Sequence, residues 1–200
     1  PEVLPLADLC LKKTGGNPFF MRQFLHSLYN RGAIWWDESR RKWQWNIQEI
    51  EETAVQDMAD WLSRRMTKLP QETIGLLKIA SCLGSWFELS ILSALSRTSG
   101  KDAMERLQLA LQEGFIFPAG HETQIAFKFL HDQVRQVAYS LLDESERQWI
   151  HLEAGRAFLK DSSPKTRDRE YRIVNHFNQA IESITKEERE VLARLNLSVG

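Results

Sequence analysis

Apolar residues recur every three or four positions through most of this chain, the spacing of amphipathic helices. Over 4–13, Leu6, Leu9 and Cys10 share one face, and Thr14-Gly15-Gly16 stops the pattern. Asn17 then offers an N-cap, Pro18 stands at the favoured first helical position, and Phe20, Phe24, Leu25 and Leu28 keep helical spacing as far as Asn30-Arg31-Gly32. The period changes to two over 33–37 and 42–46, which predicts a hairpin around Glu38-Ser39-Arg40-Arg41. Ile34 and Trp36 share a face of one strand, Trp43 and Trp45 a face of the other. Cross-strand aromatic packing accounts for these tryptophans more economically than a stacking platform for bases or sugars.

Helical spacing returns over 55–68 with Met58, Leu62 and Met66, and breaks at Leu69-Pro70. It resumes over 71–83 (Ile74, Leu77, Ala80), over 89–95, and over 102–112 (Met104, Leu107, Ala110, Leu111). Gly114 closes the last of these, and 115–118 with 124–129 reads as a strand pair around Ala119-Gly120-His121-Glu122. Three helices followed by a hairpin is the order of a winged helix. After Leu142 the pattern is purely helical over 144–160, 167–181 and 186–199, with capping-box spacing at Asp143/Glu146 and Thr185/Glu188. The expected fold is mainly α. It has a helical subdomain with a β-hairpin over 1–68, a winged helix over 69–142, and the start of a TPR-like helical array over 143–200.

Composition changes this picture little. The chain has 200 residues, 42% hydrophobic and 26% charged, with a formal net charge of −1, so nothing overall recruits nucleic acid or an anionic membrane. No apolar run approaches the roughly 18 residues that span a bilayer. Cys10 and Cys82 are isolated thiols within helical patterns, in keeping with a reducing, cytoplasmic setting, and no Cys/His spacing resembles a metal site. A start at proline and an end directly after an apolar-periodic run lead us to expect a piece of a longer protein.

The most informative local chemistry is Phe129-Leu130-His131-Asp132, at the junction of the last expected strand and the helix over 133–142. A helix start already favours an anion through its free N–H groups and dipole. An imidazole there adds one donor toward a phosphate, with the carboxylate stabilising the turn. The plainer alternative has His131 capping or packing and Asp132 favouring the first helical turn.

Lys13-Thr14-Gly15-Gly16-Asn17-Pro18-Phe19-Phe20 and Phe129-Leu130-His131-Asp132, taken together, resemble the STAND branch of P-loop NTPases. The closest likeness is to the ATPase module of large signalling proteins, often cyanobacterial, that carry protein kinase domains. It runs from Pro5 to the end and includes the Trp-rich hairpin, Leu69-Pro70, Glu113-Gly114 and Asn196-Leu197. The resemblance implies that Gly16, Asn17 and Pro18 form the Gly-x-Pro element, whose proline packs against adenine. It implies that His131 and Asp132 form the winged-helix His-Asp pair, whose histidine meets the β-phosphate of ADP and holds the resting state closed. A contact made in only one state biases a two-state equilibrium, and a charge-assisted hydrogen bond worth roughly 1.5–3 kcal/mol shifts it about tenfold or more.

The departures bound the enzymology. There is no Gly-x-x-x-x-Gly-Lys-[Ser/Thr], no apolar strand ending in paired acids for magnesium, and no kinase signature. The expectation is therefore a non-catalytic lid that senses ADP or ATP held by a nucleotide-binding core elsewhere in the parent chain. That lid would relay the state to kinase or repeat domains of the same chain. The fragment alone is expected to bind no nucleotide and to act as no enzyme, in a parent that couples an ATPase to a kinase. No catalytic residue and no metal ligand is assigned. Two rivals stay open: a winged-helix DNA-binding regulator and a plain helical protein-interaction module. Against the first, 101–113 holds three acids (Asp102, Glu105, Glu113) against two bases (Lys101, Arg106), and Pro118 to Thr123 carries no lysine or arginine.

Overall fold

The computed structural model describes residues 3–14, 16, 18–52, 58–120, 124–160 and 167–199. The chain divides into two compact units, Pro1–Trp61 and Leu62–Gly200.

In the first unit α1 (Leu4–Thr14) and α2 (Pro18–Asn30) precede the hairpin of β1 (Ile34–Asp37) and β2 (Lys42–Trp45), and α3 (Ile47–Glu52) follows it. Leu6, Cys10, Phe24, Leu28, Ala33, Ile34 and Ile50 make its core, so the apolar stripes read from the sequence do face one another. Register Ile34↔Trp45 and Trp36↔Trp43 brings four large side chains to one face. The inner pair meets the core, and the outer pair stands in solvent with its rings edge to face at 5.7 Å. The Asp37 carboxylate ties the turn by accepting from Ser39 N (2.9 Å), Ser39 Oγ (2.6 Å) and Arg40 N (3.1 Å). The sequence pattern did not reveal α3. Six residues with only two isoleucines show no period, and burial of Ile50 together with the Asn46 cap on Glu49 N (3.3 Å) defines the helix instead.

The helix expected over 55–68 is α4 (Met58–Met66), and 53–57 lie outside the described residues. The second unit continues with α5 (Gln71–Leu83), β3 (Trp86–Glu88), α6 (Leu89–Ser96), α7 (Gly100–Gln112), β4 (Ile116–Pro118) and β5 (Ala126–Phe129). The expected order of three helices and a hairpin is present, with one strand added. β3 pairs antiparallel with β5, giving sheet order β3-β5-β4. Three residues are too few to display alternation, so β3 owes its existence to β5, which also places the rings of Phe127 and Phe129 5.9 and 5.5 Å from Phe87.

Helices α8 (Asp132–Ser140), α9 (Glu144–Lys160), α10 (Arg167–Gln179) and α11 (Lys186–Val199) complete the chain. Both capping boxes form. Asp143 N donates to Glu146 Oε2 (3.0 Å) and Glu146 N to Asp143 Oδ1 (2.8 Å), with the same exchange between Thr185 and Glu188 (2.8 and 3.2 Å). Gly155 lets α9 and α10 approach closely, since a Cβ there would stand 2.6 Å from the Phe177 ring. Arg156 of α9 reaches Glu188 of α11 at 2.6 and 3.2 Å. The fold is mainly α with small antiparallel sheets, and no described helix is long and apolar enough to cross a membrane.

Candidate functional site

The turn from β5 into α8 is built from both sides. Phe129 is buried and its N–H donates to Ser85 O (2.9 Å), which fixes the end of the strand, while Leu130 N donates to Phe115 O (3.0 Å). His131 follows with extended backbone, φ −149° and ψ 151°, as the N-cap of α8. Its Nδ1 accepts the N–H of Gln133 at 3.2 Å, satisfying one of the orphan donors of the helix start. With Nδ1 accepting, Nε2 is the ring nitrogen that carries the N–H.

Asp132 is committed differently. Its Oδ1 accepts from Arg135 Nε at 2.8 Å and its Oδ2 from Gln136 Nε2 at 2.7 Å. The Arg135 bond holds the Asp132 carboxyl below the usual range. The same guanidinium donates to Ser81 O at 3.4 Å, tying the corner to α5. Asp132 therefore serves as a fixed anion that orients the first turn of α8. It is not a proton donor near neutral pH.

Gly16 and Pro18 belong to the first unit. Gly16 has φ +73°, donates its N–H to Leu11 O (3.2 Å) and closes α1, where a Cβ would meet Leu11 Cδ1 at 3.1 Å. Pro18 is exposed as the first residue of α2, the position its missing N–H favours. Asn17 lies outside the described residues, as does His121.

Two of the remaining histidines are partners. His151 of α9 and His176 of α10 are buried with their Nδ1 atoms 2.9 Å apart, and Tyr139 Oη stands 3.5 Å from His151 Nε2. His176 also stacks on Phe158 at 5.5 Å, and Arg172 lies over the same Phe158 ring at 4.1 Å. Burial lowers the affinity of both rings for a proton, and for His176, with help from His151 and Arg172, down to about 3. The two residues are 25 positions apart on different helices, so no local spacing announces the pair. The only sequence signal is that each falls on the apolar stripe of its helix.

No family model matches the chain, and no solved structure matches it. Two curated proteins do. The chain is 24% identical over 251 residues to "Hybrid signal transduction histidine kinase G" of Dictyostelium discoideum, covering 100% of this chain and 7% of that protein. It is 26% identical over 184 residues to "Peroxide stress-activated histidine kinase mak3" of Schizosaccharomyces pombe, covering 88% of this chain and 8% of that protein. The relatives are histidine kinases. The chain spans less than a tenth of their length.

This overturns the family drawn from the Gly-x-Pro and His-Asp elements. The proteins similar along the chain carry histidine kinase names, and neither is named as a STAND-type P-loop NTPase. The physical reason is visible at both elements. A left-handed glycine followed by a proline at N1 is a general way to end one helix and begin another, and a histidine N-cap is a general way to begin α8. Local helix chemistry alone accounts for both motifs. What the comparisons support is a relationship to segments of signalling histidine kinases.

Proposed function

We propose that the chain is a non-catalytic relay module of a larger, cytoplasmic histidine-kinase-type signalling protein, transmitting a conformational state between domains of the same chain. The observation that carries this reading is the likeness to two signalling kinases along 100% and 88% of the chain. The fold suits the task, because side-chain contacts join its successive helices. Gly155 against Phe177 and Arg156 against Glu188 couple three successive helices. In the same reading His131, at the start of α8, is the candidate contact for a phosphate of ADP or ATP held elsewhere in the parent protein. Its fixed place as the N-cap, held by the Gln133 N–H, supports that role.

The test uses the full-length protein. Gly155→Leu breaks the α9–α10 contact, while Glu190→Gln alters only the surface. Basal histidine autophosphorylation should change severalfold in the first and stay level in the second. Equal output from both would sink the relay role. The isolated chain should release no phosphate from ATP above the buffer rate, and turnover would overturn its non-catalytic character.

A further inference from the structure

The second unit carries a groove that neither the relay reading nor the comparisons use. Three adjoining clefts, of about 630, 550 and 420 Å³, run between α5, α6 and α9, and all three are lined by Trp149. Gly75 and Ile79 of α5 form one wall, Leu95 and Arg97 at the end of α6 the other. Trp149 is 44% exposed although it stands in a concavity flanked by three helices.

Two further features are unexplained by the fold itself. Gly75 sits mid-helix, where glycine is disfavoured, yet a Cβ there would meet nothing within 4 Å. No internal packing requires the glycine, and its absent side chain bares the α5 backbone to the groove. Arg97 occupies the left-handed region, φ 54° and ψ 37°, as the C-cap of α6, a position that favours glycine. An arginine there forgoes that preference and places a cation on the rim.

The charge balance indicates the occupant. Glu88 pairs with Arg172 and Glu146 with Lys78, while Glu153 shares Arg156 with Glu188. Among the described residues the lining groups without an ion-pair partner are then Arg97, Arg106 and Lys160 against Glu72. The walls are side chains of helices whose backbone groups are already bonded, so an occupant must satisfy its own backbone, as a helix does. We propose that this groove docks an acidic amphipathic helix of a partner protein, with a bulky apolar residue seated between Gly75 and Trp149 and carboxylates facing Arg97, Arg106 and Lys160. The inference stands apart from the relay role, and either can fail without the other.

The probe is a fluorescein-labelled 16-residue peptide with leucine at helical spacing and glutamate elsewhere, set against its lysine counterpart, titrated with the 200-residue chain. Anisotropy should show the glutamate peptide binding at least about tenfold more tightly, with the preference shrinking as salt rises. Gly75→Leu should abolish binding by filling the floor. Arg97→Gly should weaken it about fivefold or more while the melting temperature holds or rises, because glycine suits that backbone. That combination separates a docking role from a folding role. Equal affinity for the two peptides, binding of neither, or full affinity in Arg97→Gly would each overturn the proposal.

Discussion

Acidification should destabilise the α9–α10 pair through His176 well before any carboxylate titrates. The ring is buried, faces the His151 ring and stacks on Phe158, and burial, His151 and the Arg172 charge all oppose a positive charge on it. The native affinity for a proton lies at about 3, against 6.5 for the ordinary ring. A folded value below the unfolded one means that the unfolded chain binds the proton first. Stability is therefore complete above pH ~6.5 and is lost as pH falls toward ~3, at about 1.4 kcal/mol per pH unit within that window. Between pH 7 and pH 5 the loss should come to about 2 kcal/mol, and lowered carboxylates such as Asp132, Asp143, Glu146 and Glu188 contribute only below that range. Urea unfolding followed by far-UV circular dichroism at pH 7, 6 and 5 measures it, read as a shift in midpoint at constant slope. His176→Leu should be less stable at pH 7, because His151 Nδ1 loses its partner, yet should show a much flatter pH dependence. A flat profile in the natural chain, or an unchanged slope in His176→Leu, would refute the assignment.

Replacing Gly155 by alanine forces a Cβ to within 2.6 Å of the Phe177 ring and should cost about 1–3 kcal/mol, seen as a lower melting temperature. His131→Ala removes the cap on Gln133 N–H and should cost about 0.5–2 kcal/mol, with His131→Asn restoring most of it in the same melt. In the full-length protein the same His131→Ala change should loosen ADP in a calorimetric titration, and unchanged affinity would dismiss the phosphate contact. Cys10 and Cys82 are buried and free, and burial pushes the Cys82 thiol up to about 12, so iodoacetamide should label Cys82 far more slowly in the native chain than in urea by mass spectrometry. Glu188→Gln should loosen α11 from α9 by removing the carboxylate that Arg156 holds at 2.6 Å, visible as faster amide exchange in α11.

Legibility in the sequence followed the range of the signal. Elements of three turns or more with an apolar stripe were readable to within a residue or two, as α5, α9 and α11 show. So were boundaries marked by local chemistry: Pro18 opening α2 and the two reciprocal boxes. Elements that exist through a partner were not. β3 needs β5 to be a strand, and α3 needs the first core to bury Ile50. The functional site shows the same division. His131 as an N-cap follows from its place before a helix, whereas the family inferred from it did not survive comparison, because a short motif with a local structural role recurs in unrelated chains.

The sequence by itself determined the helical class, the helix ends and the corner at His131, because periodicity and capping act within a few residues. Only the tertiary structure decided that His151 meets His176 and that β3 completes a sheet. It also decided that Trp149, Gly75 and Arg97 border one groove. Those contacts join positions 22 to 74 residues apart, and chain separation leaves no trace of such proximity in a single linear pattern.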